Sequence, residues 1–202
     1  RDTDRSRGLG DVYKRQLVDG VNVKEYPFEQ LRTQIGLVPQ KATLFSGTIR
    51  ENLQWRKENA TDEEIARALS IAQASEFVDA LPEKYDAVID QGGKNLSGGQ
   101  KQRLTIARAL VGEPELLILD DSASALDFAT DAALRQAIRR ETKNMTVILV
   151  SQRASTIRNA DQIVVLDDGR VAGIGTHQQL MSTCETYREI CLSQLSSEEV
   201  GA

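Results

Sequence analysis

One histidine, His177, and two cysteines, Cys184 and Cys191, are all that the 202 residues hold of those types. That inventory excludes a His-rich zinc centre or a four-cysteine site. Any Ser-His-Asp or Cys-His nucleophile would have to recruit His177 itself. The cysteines stand seven residues apart and read as reduced thiols on one helix, which favours a cytosolic compartment. Long apolar runs are also missing. The longest, LLIL at 116–119 and VILV at 147–150, have the length of buried strands, well short of the roughly 18 residues of a membrane span. Basic excess is absent: 25 Lys and Arg face 30 Asp and Glu, and only 4 % of residues are aromatic. No basic, aromatic-interleaved surface stands out, so no nucleic-acid partner is expected. What remains is a chain long enough for one domain or slightly more, with a core that needs neither disulfide nor metal.

Residues 1–16, RDTDRSRGLGDVYKRQ, carry five basic and three acidic side chains and little apolar bulk. They read either as a disordered basic arm or as a non-native start resembling translated adapter sequence. The first residue is Arg rather than Met, so the chain reads as a fragment or a processed product. No secretory signal is recognisable in this polar start.

From Leu17 onward strands and helices alternate. LVDGVNV predicts a strand–turn–strand around Asp19-Gly20, and a short helix over 28–34 leads into a strand over 35–40. Thr48 with Glu51, Thr61 with Glu64 and Thr176 with Gln179 predict capping boxes. Ile65, Ala68, Leu69 and Ala72 then share one helical face. ELLILD and MTVILVS predict buried strands, and QIVVLDDG with RVAGIG predicts a closing hairpin. Tyr187, Ile190 and Leu195 read as helix packing. The fold class expected is α/β with a largely parallel core sheet.

Two segments carry chemistry. LSGGQ at 96–100 opens a helix, where bare glycine backbone and free N–H groups suit an anion such as phosphate. Taken alone the signal is weak, and a flexible helix start is the plainer reading. LLILDD at 116–121 places Asp120 at the carboxyl edge of a sheet, where such an Asp holds Mg²⁺, commonly through water. A helix cap or a solvated loop carboxylate is the plainer alternative.

Taken in order, Gln40 at the end of a strand, LSGGQKQR at 96–103, LLILDD at 116–121, SALD at 124–127 and SQR at 151–153 resemble the nucleotide-binding domain of ATP-binding cassette exporters. VPQKATLFSGTIRENL at 38–53 resembles the exporter segment around the Q-loop. The resemblance runs from about Leu17 to Leu192. It implies a P-loop NTPase-like core with a helical subdomain at about 53–94, within a partial domain over 17–202. It also implies roles. Gln40 would sense Mg²⁺ and the γ-phosphate, and Asp120 would be the Walker B aspartate. Ser97, Gly98, Gly99 and Gln100 would bind ATP held by the opposite subunit. Asp127 would be the D-loop aspartate at the interface. ATP and Mg²⁺ are the implied cofactors. The implied partners are a second nucleotide-binding domain, in a heterodimer, and a transmembrane domain carried on the same full-length chain as this one. The implied location is the cytoplasmic face of the plasma (inner) membrane.

The departures from that pattern are as informative. No G-x-x-x-x-G-K-[ST] string occurs, and residues 1–16 stand where the Walker A helix would end, so this polypeptide alone is expected to bind ATP poorly. Asp121 occupies the position of the general-base glutamate, one methylene shorter. Gln152 occupies the position of the switch histidine and cannot carry a proton or a positive charge. Gln91 replaces a glutamate in the loop before the signature. Together these resemble the degenerate-site half of a heterodimeric bacterial exporter, which lends LSGGQ to a stronger partner. A non-hydrolysing regulatory half and a non-functional gene fragment are the alternatives.

Overall fold

The computed structural model describes residues 17–198 apart from Asp19 and Lys143, and the side chains of 195–198 fall outside that description. The readings of residues 1–16, of Asp19 in the first turn and of Leu195 in packing therefore lie outside the described residues. In chain order, β1 (Leu17–Val18) and β2 (Val21–Asn22) pair antiparallel, and α1 (Phe28–Gln34) leads into β3 (Ile35–Val38). Then come β4 (Gly47–Thr48), α2 (Ile49–Gln54), α3 (Asp62–Ile71), α4 (Ser75–Asp79) and β5 (Val88–Ile89). The second half holds α5 (Gly98–Leu110), β6 (Leu116–Asp120), α6 (Phe128–Glu141), β7 (Thr146–Val150) and α7 (Ala154–Ile157). It ends with β8 (Ile163–Asp167), β9 (Arg170–Gly175), α8 (His177–Thr183) and α9 (Glu185–Glu198).

The centre is a parallel sheet in the order β3-β6-β7. The strand expected over 35–40 stops at Val38, since Pro39 has no N–H to continue a ladder. Val38, Leu117 and Leu119 point into the main core, where Leu104, Ile106 and Ala107 of α5 meet them. Close packing requires glycine at 36, where a Cβ would stand 2.8 Å from Pro114 and 3.2 Å from the Ala109 carbonyl. The other face is open: Leu37 is 60 % exposed, Ile148 46 % and Val150 50 %. This corrects the expectation of a buried strand at β7, which holds no fully buried residue because only one of its faces packs on the core.

All three predicted capping boxes are present, opening α2, α3 and α8. Ile65, Ala68, Leu69 and Ala72 are buried as the periodicity predicts. Arg50 on α2 ties this helical region together, bonding Asp86 at 3.0 Å and also Asp62 at the start of α3. Those two carboxylates hold its guanidinium above the ordinary arginine range. Arg56 closes the end of α1, donating to the carbonyls of Arg32, Thr33 and Ile35 at 2.6, 2.7 and 3.0 Å.

The segment after Gln40 is stapled by the buried Asn52. Its Oδ1 accepts from the Phe45 N–H at 2.9 Å, and its Nδ2 donates to the carbonyls of Phe45 and Thr48 at 2.9 and 3.0 Å. Asn52→Ala strands three backbone groups at once. The expected loss is about 2–3 kcal/mol of unfolding free energy, read from denaturant titration.

A second, smaller core joins α7, β8, α8 and α9 through Ala154, Ile163, Val165, Leu180, Cys184, Tyr187 and Cys191. The expectation of both cysteines on one helix needs correcting. Cys184 sits in an extended break between α8 and α9 (φ −119°, ψ 107°), and only Cys191 is helical. Both are buried free thiols. Ile190 is also corrected: at 37 % exposure it faces outward while Tyr187 is buried. Burial and a hydrogen bond with Cys191 push the Tyr187 hydroxyl up to about 12. His177 at the start of α8 bonds that hydroxyl through Nδ1 at 2.9 Å, a structural role. Among the described residues no helix is long and apolar enough to cross a membrane.

Candidate functional site

Register brings the sequence-predicted residues to one edge. Val38 lies opposite Leu119, and Asp120 lies opposite Val150, so the carboxyl ends of β3, β6 and β7 are level. Gln40, Asp121 and Gln152 follow within two residues of those ends. Asp120 is exposed at the last position of β6. Gln40, expected at the end of its strand, lies in the loop beyond it. From there its Nε2 donates to Asp121 Oδ2 at 3.2 Å.

Asp121 turns the chain sharply. Its φ is +43°, a left-handed conformation that Asp and Asn tolerate better than other side chains with a Cβ. Its N–H donates to the Val150 carbonyl at 2.8 Å, and its own carbonyl accepts from the Ser124 hydroxyl at 2.8 Å. Among the described residues no three His, Cys, Asp or Glu side chains cluster to hold a metal. A single strand-end carboxylate with an amide nearby nonetheless fits Mg²⁺, which keeps several waters and takes substrate phosphate as ligand.

The glycine-rich segment builds a different surface. Asn95 fixes its entry, accepting from the Asp90 N–H at 3.0 Å and donating to the Val88 carbonyl at 2.8 Å. Helix α5 then starts at Gly98, inside the LSGGQ segment expected to open it. A fourth capping box opens it: Ser97 Oγ accepts from the Gln100 N–H at 3.2 Å, and Gln100 Oε1 accepts from the Ser97 N–H at 2.9 Å. The Gln100 side-chain oxygen is thus committed to the cap, and the Ser97 hydroxyl keeps its own hydrogen to donate. The N–H groups of Gly98 and Gly99 have no carbonyl one turn earlier to receive them. A Cβ on Gly99 would stand 3.4 Å from the Ala125 carbonyl, so α5 begins against the 121–127 loop of its own chain. A Cβ on Gly98 would meet nothing within 4 Å among the described residues.

Asp127 caps α6. Its Oδ1 accepts from the Thr130 N–H at 2.9 Å and its Oδ2 from the Thr130 hydroxyl at 2.7 Å. Those bonds to Thr130 hold the Asp127 carboxyl below the ordinary carboxylate range. Two neighbours escaped the sequence reading. The Arg153 guanidinium lies 3.4 Å from the carbonyls of Ala123, Ser124 and Leu126, joining the Gln152 segment to the 121–127 loop. The Gln194 side chain bonds the backbone on both sides of Arg153. Nothing in the local pattern marks either contact, because the partners are 27 to 42 residues apart.

Residues 10–124 match the family model described as ABC transporter. The chain belongs to the ABC transporter family. This ABC transporter chain is 48 % identical over 184 residues to YfiB of Bacillus subtilis, an uncharacterized ABC transporter ATP-binding protein, covering 91 % of the chain and 32 % of the relative. It is 42 % identical over 174 residues to a putative multidrug export ATP-binding/permease protein of Staphylococcus aureus, covering 86 % and 30 %. It also superposes on a solved bacterial Atm1-family ABC exporter with ATP bound. That match has a TM-score of 0.84 and 36 % identity, covering 89 % of this chain and 32 % of the exporter. The chain therefore spans about a third of the length of these relatives. Its mixed α/β fold with a parallel sheet is that of part of an ABC nucleotide-binding domain.

Proposed function

We propose that this chain is the ATP-binding part of an exporter subunit, coupling ATP binding and hydrolysis at a two-subunit interface to transport across a membrane. The observation that carries the reading is Gly98. It begins a 13-residue helix with bare backbone, an ordinary φ and no neighbour that a Cβ would strike. Nothing among the described residues requires glycine there, although glycine costs helix stability. An anion approaching from outside would require it, and the helix dipole and unpaired N–H groups favour one. In this reading Ser97, Gly98 and Gly99 receive the γ-phosphate of ATP held by a second nucleotide-binding domain, with Gln100 holding the turn.

At the strand edge, Asp120 would hold Mg²⁺, partly through water, with Gln40 beside it. Asp121 and Gln152 are degenerate forms of the general base and the switch residue, so the site they form mainly holds ATP. Bound Mg²⁺ neutralises phosphate charge; the protein groups orient the nucleotide and exclude water. Asp127 places the 121–127 loop at the interface. A partner with an intact Walker B glutamate and switch histidine would then hydrolyse ATP against this chain's LSGGQ.

The bare sheet face at Leu37, Ile148 and Val150 suits an element preceding Leu17, such as the Walker A helix of a longer polypeptide. The helices between about 53 and 94 form the subdomain that carries the signature. Beyond Gln40, Phe45 stacks on Trp55 at 4.6 Å, and Trp55 is 72 % exposed. That aromatic shelf suits contact with a transmembrane domain at the cytoplasmic face. A non-hydrolysing regulatory half is the second reading, favoured by the Gln40 amide resting on the Asp121 carboxylate. The test of the first reading is ATP turnover by the assembled full-length protein after Gly98 is replaced. Lost turnover with an intact fold supports it, and an unchanged rate refutes it.

A further inference from the structure

The inner face of α9 carries Tyr187 and Cys191, both buried against α7 and β8. The next position on that face, at the spacing i, i+4, i+7, is Gln194. An apolar side chain would simply extend the packing. Gln194 instead forms a two-point pair with the main chain. Its Oε1 accepts from the Ala154 N–H at 2.7 Å, and its Nε2 donates to the Gln152 carbonyl at 2.6 Å. A side-chain amide here mimics a neighbouring strand, meeting one donor and one acceptor two residues apart. It satisfies the first N–H of α7, one of the groups a helix leaves unpaired.

The position matters because of what lies between those two contacts. Arg153 sits between the clamped groups, and its guanidinium reaches the carbonyls of Ala123, Ser124 and Leu126. Asp131 on α6 adds a third anchor, accepting from the Thr156 hydroxyl at 3.3 Å. The backbone of Gln152 is therefore held from α9, and the loop from 121 to 127 is held through Arg153.

We infer that Gln194 is a positioning residue for the nucleotide site: from the C-terminal helix it fixes the backbone of Gln152 and, through Arg153, the 121–127 loop. The inference rests on the nucleotide-site reading above and adds a control point for it. Movement of α9 would shift Gln152 and the interface loop together.

The test uses the full-length protein assembled with its partner, comparing wild type with Gln194→Ala, Gln194→Glu and Glu189→Ala. Residue-resolved amide hydrogen exchange at Ala154 and the release rate of Mg·ATP are measured. Gln194→Ala is expected to speed both by about tenfold or more, the effect of removing two hydrogen bonds of ordinary strength. Gln194→Glu keeps an acceptor for the Ala154 N–H but sets a carboxylate oxygen against the Gln152 carbonyl. It should restore slow exchange at Ala154 and leave Mg·ATP release fast, a split that a merely structural role would not produce. Glu189→Ala, at an exposed position of the same helix, should change neither. Unchanged exchange in Gln194→Ala overturns the clamp. Fast exchange with unchanged release overturns the positioning role while leaving the nucleotide-site reading intact. A wild type that binds no Mg·ATP refutes that reading and the positioning role with it, whereas the exchange result still decides the clamp.

Discussion

Replacing Gly98 with Asp is expected to lower ATP turnover of the assembled transporter by about 100-fold or more, with little change in the melting temperature of the protein. The magnitude follows from two effects on one phosphate. A carboxylate at the first turn of α5 repels an anion that the unpaired N–H groups and helix dipole would otherwise attract. A side chain on bare backbone also displaces the phosphate, and a shift near 1 Å from productive geometry costs on the order of 100-fold in rate. The fold should tolerate the change because a Cβ at 98 meets nothing within 4 Å and the residue has an ordinary φ. An acidic side chain in the first helical turn is in fact mildly stabilising. A comparable substitution at Gly99 is less clean, since a Cβ there touches the Ala125 carbonyl at 3.4 Å. Turnover and thermal unfolding measured on the same preparation separate the two effects.

The double replacement Asp121→Glu with Gln152→His is expected to raise turnover by about 10- to 100-fold at the site these residues form. Glutamate extends the carboxylate by one methylene toward an attacking water. Histidine supplies a group that donates to the γ-phosphate and can carry charge, which glutamine cannot. Two features oppose the gain. The left-handed turn at 121 suits Asp better than Glu, and the Gln40 amide at 3.2 Å occupies one carboxylate oxygen. Both are small beside the expected rise, because the longer stem moves the carboxylate away from that amide. Steady-state ATP hydrolysis by the assembled protein, with the partner's own site inactivated, reads the result. No gain favours the regulatory reading of this half.

Local rules carried the reading of this sequence a long way. Ser or Thr three residues before Glu or Gln marked the starts of α2, α3 and α8. Apolar runs of strand length marked β6 and β7, and Asp168-Gly169 marked the turn between β8 and β9, where both residues have positive φ (45° and 72°). The same spacing at Ser97 and Gln100 is a capping box as well, so this segment carries a helix-start signal and a phosphate-binding motif at once. Placement of Asp120 at a sheet edge followed from an apolar strand ending in acid.

What escaped was tertiary. The Gln40–Asp121 bond spans 81 residues and the Gln194 clamp about 40, separations at which no sequence period operates. The strand end at Val38 is legible in Pro39, which cannot extend a ladder although the strand-like pattern runs on to Gln40. The break at Cys184 had no marker, because neither glycine nor proline stands there; packing of two helices around one small core imposes it. Arg153 enters the sequence pattern only as the end of SQR, and its role depends on the three carbonyls that the fold brings to it.

Where the phosphate lies decides whether LSGGQ of this chain completes a site on the partner. A structure of the full-length protein assembled with its partner, Mg²⁺ and a non-hydrolysable ATP analogue reads that position outright. The prediction is a γ-phosphate held by the partner's Walker A and lying within hydrogen-bond distance of the Gly98 and Gly99 N–H groups. A closed, nucleotide-loaded assembly in which the start of α5 faces solvent would contradict it.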